Sequence, residues 1–212
     1  TGIPVAAGYY YEGIHTMENS AFEFRDEAWG DLLVISFEFA PRDEALDWAR
    51  QLIDSKRFQN HRVIILTHSF LDTNGERIVS EGYKLNPRNW AQAVWDKLIY
   101  PSKNIQMVLC GHTGSAPKIS GTEKVDYHMT CSHRVDKAAD GHNVVQMMFN
   151  SQQGDVDWNG NGRDCRLRIL EFKPDGKTIS VRTFSPMFAL SQLTQHLAWR
   201  TNSYDQYEIV IK

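Results

Sequence analysis

The sequence predicts an α/β fold with a β-rich C-terminal half, on three observations. Near-continuous apolar runs of strand length recur at 32–37, 63–66 and 105–109, as in strands buried on both faces of a sheet. Helical patterns separate them, and strand, helix, strand, helix, strand is the order of a layered α/β architecture. After about residue 115 the texture changes to short alternating runs at 144–149, 167–172 and 179–183, bounded by glycines and the Pro174-Asp175-Gly176 turn. That texture predicts an antiparallel β portion. The 212 residues form one predicted domain over 1–212, with an α/β part at about 20–115 and a β-rich part at about 116–212.

Each element has its own signal. Residues 1–19 carry Gly2, Pro4, Gly8 and Gly13 among Tyr9, Tyr10 and Tyr11 without a sustained period, and are expected to be loop. Residues 21–25 alternate, and Trp29-Gly30-Asp31 makes a turn into the first apolar strand. Pro41-Arg42-Asp43 opens a helix with Asp43 as the expected N-cap, and Leu46, Ala49, Leu52 and Ile53 form its inner stripe. The polar stretch 72–85 leads to Asn86-Pro87, where Asn is expected to cap a second helix and Pro to take its first position. Trp90, Val94 and Leu98 mark that helix's buried face.

Composition removes several function classes. Lys and Arg number 23 against 26 Asp and Glu, a net charge of −3, so no basic excess is present to neutralise nucleic-acid phosphates. No apolar run approaches the ~20 residues of a membrane span. Cys110, Cys131 and Cys165 form no C-x-x-C pair and are read as buried or free thiols, the alternative being one disulfide with one cysteine left over. There is no G-x-S-x-G elbow, P-loop or dinucleotide fingerprint. Asp155-Val156-Asp157-Trp158-Asn159-Gly160 opens like an EF-hand loop, but its twelfth position is Arg166, which cannot give the bidentate carboxylate. A Gly-rich connection or hairpin is expected there instead. Trp48, Trp90 and Trp95 fall in helical segments and are read as packing residues rather than a carbohydrate platform.

The chemistry is expected where two strands end. The 63–66 run leads straight into Thr67-His68-Ser69, and the 105–109 run into Cys110-Gly111-His112-Thr113-Gly114. Ligands of open α/β sheets bind beyond the carboxyl ends of the strands, so His68 and His112 should share one crevice. Neutral imidazoles there suit a divalent metal of the zinc, iron, manganese or nickel class, and Gly111 permits close backbone approach. His128, His133 and His142 are read as structural or surface residues, His15 and His61 as solvated loop positions, and His196 as part of a polar C-terminal stretch.

These two strand-end motifs, with the helix start at Phe39-Ala40-Pro41-Arg42-Asp43-Glu44-Ala45-Leu46-Asp47-Trp48, resemble the calcineurin-like metallophosphoesterases. The likeness covers roughly residues 32–114 and, more loosely, the β-rich remainder. It implies a partial four-layer α/β/β/α (α+β) sandwich, a two-metal centre and hydrolysis of phosphoric esters of a small-molecule or other phosphoester substrate. His68 and His112 match the two histidines that hold the family's second metal, and no other residue carries over. Two features depart from the family pattern. Its Asp-x-His, Gly-Asp and Gly-Asn-His motifs have no counterpart ahead of Ala21, and Gly114 stands where the family has a second His. The first departure implies that Thr1 begins just after the Gly-Asn-His motif, with the site completed by an upstream portion of the same protein. A secreted or periplasmic location, its signal upstream, follows from the same resemblance. The second departure supports an alternative, a non-catalytic binding module on the same fold.

Overall fold

The computed structural model describes residues 5–11, 14–85, 87–114, 130–151 and 165–211. The fold is mixed α/β, with two sheets, few helices and a β-rich C-terminal half. The strands of the large sheet are β1 (Val5–Tyr11), β2 (Ile14–Asp26), β3 (Gly30–Ser36), β4 (Arg62–Leu66), β5 (Ile105–Cys110), β6 (Cys131–Lys137) and β7 (Asn143–Phe149). They lie in the order β1-β2-β3-β4-β5-β7-β6. Neighbours β3, β4, β5 and β7 run parallel, while β1, β2 and β6 are antiparallel flanks.

The small sheet is centred on β9 (Thr178–Phe184). Beside it run β8 (Leu167–Phe172), β10 (Trp199–Arg200) and β11 (Tyr207–Val210), all antiparallel to β9.

Two apolar clusters make the layers. α1 (Asp43–Ile53), α2 (Ala91–Val94) and the π-helical turn Trp95–Ile99 that continues α2 press Ala45, Leu46, Ile53, Val94 and Leu98 onto Leu33, Ile35, Val63 and Ile65 of the sheet. Ile64, Met107, Val145 and Met147 point to the opposite face, because successive side chains of a strand alternate, and meet Ile179, Val181 and Ile209 of the small sheet. Each fully buried Leu or Ile contributes roughly 1.5–3 kcal/mol of transfer free energy, so both faces of the large sheet are committed.

Four sequence expectations are corrected. The expected loop at 1–19 contains β1 and the start of β2; their register shifts between Val5 and Ala7 and between Gly8 and Tyr9, so no clean period survives for the sequence to display. Asp43 is the first residue of α1 rather than its N-cap: Arg42 holds that position, and the Asp43 carboxylate is taken by Lys97 and Asn89. Pro87 is not at the first position of the second helix, which begins at Ala91 after Trp90. The segment beyond 115 is not wholly antiparallel either, since the β6–β7 hairpin lays β7 parallel against the free edge of β5. Asn86 and the EF-hand-like run at 155–160 lie outside the described residues. Cys110, Cys131 and Cys165 form no disulfide with one another.

One tertiary clip fixes how the sheets meet. In the turn between β2 and β3, Asp26 Oδ1 accepts from the backbone of Ala28 and Trp29, each at 2.9 Å. The buried Trp29 then donates from Nε1 to the Lys173 carbonyl at 2.7 Å, next to the β8–β9 turn. Arg62 lies over the Trp29 ring and donates to the Gly176 carbonyl at 2.6 Å.

Candidate metal centre

Parallel pairing of β4 with β5 brings their carboxyl ends to one level, Leu66 beside Leu109. The pairing continues past the strands: Thr67 donates its backbone N–H to Leu109, and Gly111 donates to His68, each at 3.0 Å. The two histidine segments are therefore tied together by backbone before any side chain is considered. The imidazoles of His68 and His112 face each other with ring centroids 4.6 Å apart and planes tilted by 53°.

The backbone at His112 is held in an uncommon conformation. Its φ is +65°, in the left-handed region that costs an L-residue roughly 1 kcal/mol or more. Asn150, at the end of β7, donates from Nδ2 to the carbonyls of His112 at 2.8 Å and Thr113 at 3.0 Å. Thr113 Oγ1 donates to the Leu71 carbonyl at 2.6 Å, and the Leu71 N–H reaches Cys110 Sγ at 3.4 Å. Gly111 serves this packing: a Cβ there would stand 3.2 Å from the Phe149 carbonyl. Burial pushes the Cys110 thiol up to about 12, which keeps it a neutral thiol beneath the histidines.

A carboxylate that the sequence reading passed over lies beside the pair. Glu81, in the polar stretch between β4 and α2, places Oε1 3.1 Å from His112 Nε2, and its Oε2 accepts from Ser69 Oγ at 3.3 Å. The pKa of His68 is lowered, first by desolvation and then by the neighbouring His112, against an opposing pull from Glu81. A neutral imidazole is the ligating form.

Aromatic rings wall the pair. Phe39 lies 5.5 Å from His68 and 5.6 Å from His112, centroid to centroid, with Tyr83 and Trp90 edge-on against Phe39. The Phe39 loop is anchored by Glu38, which accepts from Arg42 at 2.8 Å and 2.9 Å and from Arg88 at 3.1 Å.

Other histidines lie elsewhere. His133 on β6 stacks on Tyr207 at 4.6 Å, and His142 bonds Asp140 and the Ile105 carbonyl at the opposite end of β5. His196 is exposed in a short 3-10 turn. His61, expected to be solvated, is instead buried at 5% exposure, packed on Phe58 and bonded to Glu23 at 3.0 Å. Its loop position misled, because the nearby Phe58 ring and Glu23 of β2 enclose it. His128 and the His15 side chain are outside the described residues.

Among the described residues, no group of three or more His, Cys, Asp or Glu side chains is arranged to hold a metal ion. No helix among them is long and apolar enough to cross a membrane. No family model matches the chain. It is similar to the uncharacterized protein YvnB of Bacillus subtilis strain 168, at 23% identity over 180 residues, and this stretch covers 84% of the chain but only 12% of that protein.

Proposed function

We propose that His68 and His112 are this chain's share of a divalent metal centre, and that the complete protein is a metal-dependent hydrolase of phosphoric esters of the calcineurin-like kind. The observation that carries the reading is the facing of two imidazoles, 4.6 Å apart, beyond the ends of adjacent parallel strands. The donors suit such a group: His68 is exposed and biased to its neutral form, and the Glu81 carboxylate stands 3.1 Å from His112 Nε2. A carboxylate on the far nitrogen of a ligating histidine fixes the tautomer and raises the ring's basicity. Two protein ligands fall short of the three that catalytic metal sites normally have, so the remaining donors come from the upstream part of the protein.

A metal pair bound there would supply an activated water and charge stabilisation of the phosphoryl oxygens. This chain's own residues do the positioning. Asn150 and Thr113 hold the His112 backbone, Glu81 stands beside its ring, and Phe39 packs against both imidazoles. A non-catalytic binding module on the same fold is the competing reading, favoured by Gly114 and by the absence of a third ligand among the described residues.

The test is hydrolysis of bis(p-nitrophenyl) phosphate by the complete protein supplied with zinc, manganese, iron or nickel. Activity that falls at least a hundredfold in both His68→Ala and His112→Ala supports the hydrolase. Metal binding without turnover in any of these conditions supports the binding module.

A further inference from the structure

The rings around the two histidines are not equally enclosed. Phe39 and Trp90 are half-buried, and Phe39 is in contact with His68, His112, Tyr83 and Trp90. Tyr83 is the exception, with 52% of its surface exposed. Its plane stands at 84° to that of Phe39, with centroids 5.1 Å apart, an edge-to-face contact that leaves at least one face of the tyrosine uncovered by its neighbour. A second contact, tilted by 50° at 6.0 Å, joins Tyr83 to His112. Gly82 and Lys84 on either side are exposed as well, and a Cβ at Gly82 would meet nothing within 4 Å. The tyrosine thus leans on the histidine site and is open to solvent beside it.

The loop that carries it is tied down on both sides. Ile78 donates its N–H to the Phe70 carbonyl at 3.0 Å, and its own carbonyl accepts from Gln92 at 3.2 Å. Glu81 stands against His112 and Ser69, and the Leu85 N–H donates to the Tyr83 carbonyl at 2.9 Å. A tyrosine supported in this way offers a flat, largely apolar surface at little cost in side-chain entropy.

We infer that Tyr83 is a specificity residue of the histidine site: its free face receives the organic group of the phosphoester, and the preferred group is a planar aromatic one. The inference rests on the phosphoesterase reading of His68 and His112 and adds the class of substrate to it. Stacking selects that class, since two aromatic rings gain attraction beyond the area they bury and a saturated ring of similar size does not. Phe39, already in contact with four rings, supports Tyr83 and is not itself the platform.

The test is calorimetric titration of the complete, metal-supplied protein with methylphosphonate, cyclohexylphosphonate and phenylphosphonate, whose P–C bond lets binding be read without turnover. Phenylphosphonate should bind roughly threefold or more tighter than either other probe. Tyr83→Ala, at an exposed position that the fold does not depend on, should erase that preference and leave methylphosphonate as it was. Tyr83→Phe should keep the preference, because the ring and not the hydroxyl makes the contact. Equal affinity for phenylphosphonate and cyclohexylphosphonate, an unchanged preference in Tyr83→Ala, or a loss in Tyr83→Phe as large as that in Tyr83→Ala would each overturn the inference while leaving the metal centre standing. Binding of none of the three phosphonates would overturn the phosphoesterase reading itself, and this inference with it.

Discussion

Glu81 and His112 meet through Oε1 and Nε2 at 3.1 Å, across 31 residues of chain and between two different loops at the end of the large sheet. The contact sets a carboxylate beside one ring nitrogen, which leaves Nδ1 as the atom for a ligating role. If His112 ligates through Nδ1, removing the carboxylate loosens the ligand without deleting it. Glu81→Ala should therefore lower metal affinity of the complete protein by about 10–100-fold. Competitive titration with a chromophoric chelator measures this, and an unchanged affinity would show that Glu81 has no part in the centre.

The left-handed backbone at His112 gives a way to separate strain from chemistry. Both His112→Ala and His112→Gly delete the ring, yet only glycine adopts φ of +65° without steric cost. His112→Gly should be more stable than His112→Ala by about 1 kcal/mol in urea unfolding, with metal binding equally weakened in both. Equal stabilities would mean that the loop relaxes once the ring is gone.

Gly176 is the tightest point of the clip between the sheets. Its φ is +68°, and a Cβ there would collide with the backbone carbonyl of Ala28, which cannot swing aside as a side chain would. Gly176→Ala should destabilise the protein by roughly 2–4 kcal/mol, combining backbone strain with displacement of the Trp29 contact. Chemical denaturation checks it, and a loss below about 0.5 kcal/mol would mean that the turn moves freely.

Acid sensitivity has a named source in Glu23. The Arg57 guanidinium, followed by the hydrogen bond with His61, holds the Glu23 carboxyl at about 2, against 4.5 when unpaired. The folded state thus binds fewer protons than the unfolded state in this interval. The contribution is complete above pH 4.5 and is lost as pH falls toward 2. Glu23→Gln should flatten the fall of stability with pH across that window, read by urea midpoints at successive pH values. A curve parallel to the unsubstituted protein's would remove Glu23 from the account.

How much was legible in the sequence follows from which interactions are local. The apolar runs behind β3, β4 and β5 and the stripe of α1 could be read because burial there imposes a period. The pairing of β1 with β2 could not, since bulges break the alternation and backbone hydrogen bonds leave no compositional mark. β7 looked antiparallel by texture, and only its place beside β5 makes it parallel. In the candidate site, His68 and His112 were found because each follows a strand directly. Glu81 was not, because a polar residue in a polar stretch carries no signal of a partner 31 positions away. Its setting between two strand-end motifs was the one available hint.

The central claim is that His68 and His112 together hold a metal ion. Elemental analysis of the complete protein, purified after exposure to zinc, manganese, iron or nickel and exhaustive dialysis, tests it most directly alongside His68→Ala and His112→Ala. The account predicts bound metal in the unsubstituted protein and a clear fall in stoichiometry in each variant, with both variants still cooperatively folded. The same metal content in all three proteins, or none in any of them, would contradict it and leave the two imidazoles as scaffolding at the end of the sheet.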